Sequence, residues 1–464
     1  MILNINPQAV TGLGDYEKAI LQKLVKIYQN HVGKNAEKNR YYEGKITLNE
    51  VNLGIALPNG LRGLEIGCAW GAKTVDVLAA RSMFDGFVGV NGEEVETLDE
   101  IVVNNKLVAE YAKACRDELK YGCTFATLSA DPEIGCKIRF HSPQTAAAVW
   151  NGEKGRIDYG MAIIDTTEDD TQSSYSPSLI NLYTDDAIWV IFRNNQQWFA
   201  TKYLHRMGRP LMEPLIWNAT SSKPFGRSRI KEPVRRLIQG YVRTIANATI
   251  GLEFSTAPQK YLLGITDEQY DVVINQKFKQ YVGNILASTN NPETGEKPTF
   301  GQLQQGNIAP HVEMLRILAT QFSAATGLSV TDTGVVNDAN PTSSDAILAQ
   351  TQTLVGMAEQ LNVSNGDALR NIAMMALAIT NNTTLDGLTD EQKAVIAHFK
   401  NPAMPSVAVT ADAAIKIASV RPGFAQTDVF AEMIGFSKAD IRRIKAQETR
   451  QRGLDVLNEL GDMA

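Results

Sequence analysis

Hydrophobic positions along this chain change period several times, and each change marks a different kind of element. From Asp15 to Val32 the apolar residues Ile20, Leu21, Leu24, Val25, Ile27, Tyr28 and Val32 recur at helical spacing behind a capping aspartate, which predicts an amphipathic helix. The same spacing predicts a helix over Thr74–Phe84 and one or two more within Asp99–Lys120, while Leu53–Pro58 reads as a short extended stretch closed by proline. From Gly122 the period becomes two. Cys123–Leu128, Cys136–Phe140, Ala146–Trp150, Asp158–Ile164, Leu179–Tyr183, Ala187–Phe192 and Gln197–Thr201 are short β-type runs separated by Gly, Asn, Asp and Pro. Sequential runs joined by short turns make a largely antiparallel sheet, so residues 1 to about 220 read as an α+β domain. The acidic polar stretch Asp165–Ser178 is expected to be an exposed loop.

Helical period then returns. Arg227–Ala248 carries Val234, Leu237, Ile238, Tyr241, Val242 and Ile245 on one side and a basic surface on the other: seven Lys or Arg lie between Lys223 and Arg243 against a single acid, Glu232. Glu253–Ala309 reads as a compact α/β insertion, with extended runs at Leu252–Phe254 and Tyr261–Leu263, a helix around Glu268–Tyr281 and a turn at Asn291–Gly295. Pro310, suited to the first turn of a helix because its missing N–H has no partner there, opens a second helix through Val312, Leu315, Leu318, Ala319 and Phe322. Gly327 ends it. In Ser329–Thr342, Gly334, Asn337, Asp338, Asn340 and Pro341 are breakers among which no regular element is expected to persist. A long helix is expected from the capping residues Ser343-Ser344-Asp345 to Ile379, with Asn365-Gly366 as a candidate kink or break. Thr389–Lys400 is expected to be a short helix and Asn401–Val409 a connector, before three closing helices over Ala411–Ala418, Thr427–Ile434 and Ser437–Gln451.

Composition narrows the function classes. At 464 residues the chain has room for about three domains. A net charge of −6 argues against a protein that grips nucleic acid by its overall field. The four cysteines, Cys68, Cys115, Cys123 and Cys136, lack metal-ligand spacing and suit a reducing compartment as buried thiols. Met1–Gln22 has no basic segment followed by an apolar run, and no eighteen consecutive apolar residues occur anywhere, so the chain is expected to be soluble and intracellular where it is made.

Candidate chemistry is sparse. Residues 64–71, Leu-Glu-Ile-Gly-Cys-Ala-Trp-Gly, resemble the nucleotide-binding turn of a methyltransferase, with acids following at Glu93 and Glu94. Ala69 and Trp70 occupy part of that turn, and antiparallel runs follow where a parallel βαβ succession is needed. Gly67 to Lys73-Thr74 misses P-loop spacing because Ala72 separates Gly71 from Lys73. His31, His141, His205, His311 and His398 are scattered, and no serine sits in a nucleophile elbow. We therefore expect no enzyme activity, catalytic residue, cofactor or metal. A nucleic-acid-modifying enzyme built on the 64–71 turn, or a capsid or scaffold component without a channel, are the alternatives.

Several segments, in order, resemble the portal proteins that form the head-to-tail connector of tailed double-stranded DNA bacteriophages with long non-contractile tails. They are Tyr41-Tyr42-Glu43-Gly44 with Leu53–Pro58; Trp70–Phe87 with Val77-Leu78-Ala79-Ala80-Arg81 and Asp85-Gly86-Phe87; and Tyr121-Gly122. There follow Gly226–Ile230 with Pro233 and Arg235-Arg236-Leu237; Pro258–Gly264; His311-Val312-Glu313; Ala319–Phe322; and Asn340–Ile347. The resemblance implies a portal fold, an α+β wing with long stem helices, a small clip and a helical crown. Its expected partition is a wing at 1–225, a first stem helix at 226–252, a clip at 253–309 and a second stem helix at 310–328. A channel loop at 329–342, a long wing helix and connector at 343–409, and a crown at 410–464 complete it. The short crown puts an elaborate barrel-like extension outside the expectation.

Such subunits form a ring, usually of twelve, at the capsid vertex of the virion, assembled in the host cytoplasm. DNA passes through it in packaging and ejection without sequence preference. The implied partners are other copies of the chain, double-stranded DNA in transit, the terminase large subunit, head-tail adaptor proteins, and major capsid and scaffolding proteins, with no membrane. The expected channel residues are Ser329, Thr331, Asp332, Thr333, Asn337, Asp338 and Asn340; the loop's only charges are Asp332 and Asp338, as a low-adhesion valve requires. Arg227, Arg229, Lys231, Arg235, Arg236 and Arg243 are expected to form a basic stem surface. Glu268, Asp271, Lys277, Asn291, Glu293 and Glu296 are expected on the clip, docking terminase and adaptors. Lys438, Arg442, Arg443 and Lys445 are expected on the crown, where Phe430–Lys445 also has the outline of a helix-turn-helix or a plain helical hairpin.

Overall fold

The computed structural model describes residues 3, 5–47, 65–89, 96–169, 174–256, 260–263, 295, 299–302, 307–335, 344–403, 407–436 and 438–462. The chain begins with α1 (Asp15–Tyr42), β1 (Lys45–Thr47), β2 (Glu65–Gly67), α2 (Trp70–Ala79) and β3 (Phe84–Val88). Next come α3 (Glu96–Asn104), α4 (Leu107–Tyr121) and eight strands: β4 (Cys123–Asp131), β5 (Gly135–His141), β6 (Ala146–Asn151), β7 (Arg156–Asp169), β8 (Ser174–Tyr183), β9 (Ala187–Asn194), β10 (Gln197–Leu204) and β11 (Met212–Ile216). After α5 (Glu232–Thr256), β12 (Lys260–Leu263) and β13 (Thr299–Gln302) come α6 (Ala309–Thr326), α7 (Ser344–Thr380), α8 (Asp390–Lys393) and β14 (Ile396–Phe399). Finally α9 (Val407–Val420), α10 (Asp428–Ile434) and α11 (Lys438–Asp462) close the chain. This is an α+β protein in which every pairing between described strands is antiparallel.

The chain divides into two compact units. Met1–Ala36, Val75–Arg229 and Asp345–Ala464 make the first, and Glu37–Thr74 with Ile230–Ser344 the second. In the first, the five-stranded sheet β10-β9-β8-β7-β6 buries Met161, Ile163, Ile180, Leu182, Trp189, Ile191 and Trp198 against Ile20, Leu21, Leu24 and Tyr28 of α1. The Tyr28 hydroxyl donates to Gln144 O at 2.8 Å. A three-stranded sheet, β11-β4-β5, lies in the same unit, and β3 pairs with β14.

Several elements differ from expectation. Helix α1 runs on to Tyr42, because Asn35 and Tyr41 are buried beyond the apolar stripe and Asn35 Nδ2 donates to Pro143 O. Helix α2 stops at Ala79 in a tight turn, Ser82 N donating to Ala79 O, and Phe84 and Phe87 are then buried on a strand. Within the Asp165–Ser178 stretch, Thr166–Asp169 and Ser174–Pro177 are paired strand, from Thr166↔Pro177 to Asp169↔Ser174 after an irregularity at Asp165; β-branched Thr166 and Thr167 suit it although no apolar alternation announces it. Strand β11 was hidden by Pro214, tolerated because β11 pairs only with β4, at the sheet's edge. Helix α7 passes Asn365-Gly366 unbroken. Thr389–Lys400 is one helical turn followed by a strand, its capping box at Thr389 and Gln392 limited to that turn. Leu252–Phe254, expected to be extended, instead continues α5, which runs to Thr256, while Leu53–Pro58 and the helix expected around Glu268 lie outside the described residues.

Candidate stem and channel surfaces

Helices α5 and α6 pack together within the second unit through side chains set at regular intervals. Val234, Ile238, Val242 and Ala246 recur every fourth residue and form one buried ridge; Leu318, Ala319 and Phe322 are the buried face of α6. Gly240 marks the closest approach. A Cβ there would stand 3.1 Å from Leu318 Cδ2, so the missing side chain lets the helices close. At 1.5 Å per residue the two helices are about 37 and 27 Å long. The outer side of α6 still exposes Val312, Met314 and Ile317.

The turn that resembles a cofactor loop is packed shut. Trp70, 3% exposed, stacks on Phe322 with ring centroids 4.5 Å apart and lies 4.7 Å from the Tyr241 ring. Its Nε1–H donates to Thr333 O at 3.0 Å. A Cβ at Gly71 would meet Tyr41 O at 1.9 Å, so this glycine admits a neighbouring backbone and leaves no room there for a ligand. Burial pushes the Cys68 thiol up to about 11, leaving it an inert core group. Strand β2 pairs antiparallel with β1, not with a parallel strand. Trp70 thus ties the turn, α5, α6 and the segment after α6 together.

The expected basic stem surface is only partly one. Arg229 is a correction: it belongs to the first unit and is 6% exposed, with its guanidinium 5.8 Å over the Trp217 ring and Nη1 3.4 Å from Met357 Sδ. It is buried because Gly226, at φ +66°, turns the chain under Trp217 O, and Ser228 Oγ then donates to Lys120 O. Burial lowers the Arg229 guanidinium to about 10. In the second unit Arg235 is bonded to Glu37 at 2.9 Å and Glu232 at 2.5 Å, and Arg236 to Glu232 at 2.8 Å. The hydrogen bond and charge of Arg235 hold the Glu232 carboxyl below the usual carboxylate range. Arg227 and Lys231 are exposed and Arg243 half-buried; among the described residues no acid pairs with any of the three.

The expected channel loop begins as structured chain. Thr331–Thr333 is a turn of 3-10 helix, a correction to the expectation of no regular element. Asp332 holds it: Oδ2 accepts from Ser329 N at 3.1 Å and from Ser329 Oγ at 2.7 Å, while Ser329 Oγ lies 2.6 Å from Thr331 Oγ1. Thr333 is also a correction, because its side chain is buried and donates to Val330 O. Asn337, Asp338 and Asn340 lie outside the described residues, as do the clip positions Glu268, Asp271, Lys277, Asn291, Glu293 and Glu296. Of the expected clip at 253–309, the described residues are the end of α5, the antiparallel pair β12 and β13, Gly295 and 307–309. On α11, Arg442 bonds Asp99 of α3, Lys445 bonds Asp428 of α10 at 2.7 Å, and Arg443 lies 3.8 Å from Asp440; the Lys438 side chain lies outside the described set.

The sequence reading missed Trp70, Tyr41 and Gly240 as determinants of this unit. Their signal was available: a large aromatic where a cofactor turn needs a small residue, and a glycine inside an amphipathic helix. Among the described residues no group of three or more His, Cys, Asp or Glu could hold a metal ion, and no helix is long and apolar enough to cross a membrane.

No known family model matches the chain, and no curated protein matches it. Solved structures with a similar course of chain come from gene transfer agent (GTA) particles. One is from a virion of the native particle, 12% identical over 79% of this chain and 89% of that chain, at TM-score 0.43. Another is from the neck of the empty particle in C6 symmetry, 12% identical over 75% and 84%, at TM-score 0.42. A third is from the neck of the native particle in C12 symmetry, 12% identical over 79% and 89%, at TM-score 0.43.

Proposed function

We propose that this chain is a portal-type subunit, one of a ring of copies through which double-stranded DNA enters and leaves a phage-like capsid. The observation that carries the proposal is the stem pair. Two long helices close along an apolar seam, bracket a small insertion, and have much of their positive charge engaged by Glu37 and Glu232. A channel that lets a polyanion slide must not offer many free cations, because each phosphate neutralised adds salt-dependent affinity. Ring closure gives the exposed Val312, Met314 and Ile317 of α6 and Val409, Ile415 and Val420 of α9 a neighbour to cover them. The clip then docks the terminase large subunit and, later, head-tail adaptors.

Within this proposal the loop from Ser329 to Thr342 narrows the channel as a low-adhesion valve. Asp332 contributes by holding the turn at its base, and Asp338 is the loop's other acid. The test is DNA filling of heads carrying Asp338→Lys. Filling is expected to fall, and more so at low salt, where attraction to phosphate is strongest. Filling equal to wild type at every salt concentration would contradict the channel role of this loop.

A further inference from the structure

A buried polar network in the first unit has a use that the ring does not require. Glu118 on α4 is fully buried, and so is Asn365 on α7. The amide nitrogen of Asn365 donates to Glu118 Oε2 at 2.8 Å and to Tyr111 Oη at 2.9 Å. Tyr111 Oη lies 2.7 Å from Ser82 Oγ, and Ser82 donates to Asn362 Oδ1 at 2.6 Å. Followed from Asn365 through Tyr111 and Ser82 to Asn362, the Asn365 amide N–H groups and both hydroxyls are committed. Two acceptors are left over, both buried and without a partner: Glu118 Oε1 and Asn365 Oδ1.

Two buried acceptors without a donor, on side chains already bonded to each other, are costly unless one of them carries a proton. A carboxylic acid facing a primary amide solves both at once: the amide N–H donates to one carboxyl oxygen while the acid O–H donates to the amide oxygen. We propose that Glu118 is carried as the neutral acid, closing such a ring with Asn365, and that this proton is a pH-dependent latch between α4 and α7.

The surroundings favour the neutral form. Tyr111 and Cys115 of α4 face the carboxyl, and both are pushed up by their own burial. Among the described residues, Asn362 and Asn365 of α7 and Ser82 of the turn after α2 bond into the network, and Phe84 of β3 and Phe399 of β14 pack their rings on Tyr111 at 5.7 and 5.8 Å. The charged neighbours on α4 have other partners, Arg116 with Asp76 and Lys120 with Asp117, and among the described residues no cation pairs with Glu118. Burial accordingly raises the Glu118 carboxyl to about 8.

The direction of the response follows by linkage. Once α4 and α7 part, Glu118 is hydrated and titrates near the ordinary 4.5, so between about 4.5 and 8 the closed state holds one proton more than the open one. Opening therefore becomes about tenfold more favourable per pH unit across that interval and levels off above it. Acid tightens the latch and neutral to mildly alkaline conditions loosen it.

Hydrogen exchange of the full-length protein tests this, read on peptides covering 111–121 and 361–375 and corrected for intrinsic base catalysis. Wild-type opening is expected to rise about tenfold per pH unit from 5 to 7.5 and to flatten above 8. In Glu118→Gln, whose side-chain amide supplies the missing donor at every pH, the slope is expected to vanish. Equal slopes in the two proteins, or no slope in wild type, would overturn the proposal. Should Glu118→Gln fail to fold, infrared titration of wild type decides. A protonated carboxyl band that disappears with a midpoint near 8 supports the latch, and its absence at pH 6 overturns it.

Discussion

Trp70 makes three attachments inside one unit: rings against Phe322 and Tyr241, and an indole N–H on Thr333 O. Removing a fully packed aromatic costs the transfer energy and leaves a cavity, so Trp70→Ala is expected to destabilise the unit by about 3–5 kcal/mol. Trp70→Phe keeps most of the ring packing but leaves Thr333 O unpaired, a cost of about 1–3 kcal/mol. Guanidinium denaturation of both variants checks this ranking. His141 gives a second residue-scale test, through pH. It is buried beside Thr127 Oγ1 at 3.0 Å, and burial, with Arg139 adding to it, lowers its imidazole to about 4. The unfolded chain takes up that proton near 6.5, so the stability from a neutral His141 is complete above 6.5 and lost as pH falls through 4. The loss is on the order of 2–3 kcal/mol. Glu118 slopes the other way over part of this range, so the quantity to measure is the difference between wild type and His141→Gln in urea at pH 7 and 4.5. That difference is expected to shrink as pH falls.

Among the elements, the α5–α6 pair depends on a residue that contributes no side chain. Gly240→Ala asks Leu318 to move a few tenths of an ångström, and the gain in helix propensity, about 1 kcal/mol, offsets much of that strain. Gly240→Leu cannot be accommodated so cheaply and is expected to cost about 1–3 kcal/mol by overpacking, measured by thermal and guanidinium unfolding. Equal stability of the two variants would show that the helices are not in close contact at this point. These helices were legible because a ridge of Val234, Ile238, Val242 and Ala246 repeats regularly, and so were the strands with apolar alternation. Elements whose reason for existing is a partner elsewhere in the chain were not. The outer halves of β7 and β8 are polar and are held by each other; β11 contains Pro214 and exists because β4 offers it an edge. Asn365-Gly366 reads as a break, yet Asn365 faces the buried Glu118 and the helix continues around that bond. Local propensity carries no information about such partners.

For the molecule as a whole, the α+β class and the antiparallel pairing of the strands after Gly122 followed from periodicity and short turns. The division into two units did not, because each is assembled from separated stretches: Glu37–Thr74 joins Ile230–Ser344, although Trp70 stands far from Phe322 in sequence. Candidate surfaces were less legible than elements. A run of arginines in sequence cannot reveal that Arg229 is tucked beneath Trp217 while Arg235 and Arg236 share Glu232. The α5–α6 pair has Arg235 and Arg236 engaged by acids, and α6 and α9 carry uncovered apolar side chains; in the proposed ring, identical copies cover those side chains around a polyanion. Electron micrographs of the purified full-length protein test this most directly. The account predicts closed annular particles with a central opening wide enough for a DNA duplex. Strictly monomeric particles at high protein concentration, or aggregates lacking an opening, would contradict it.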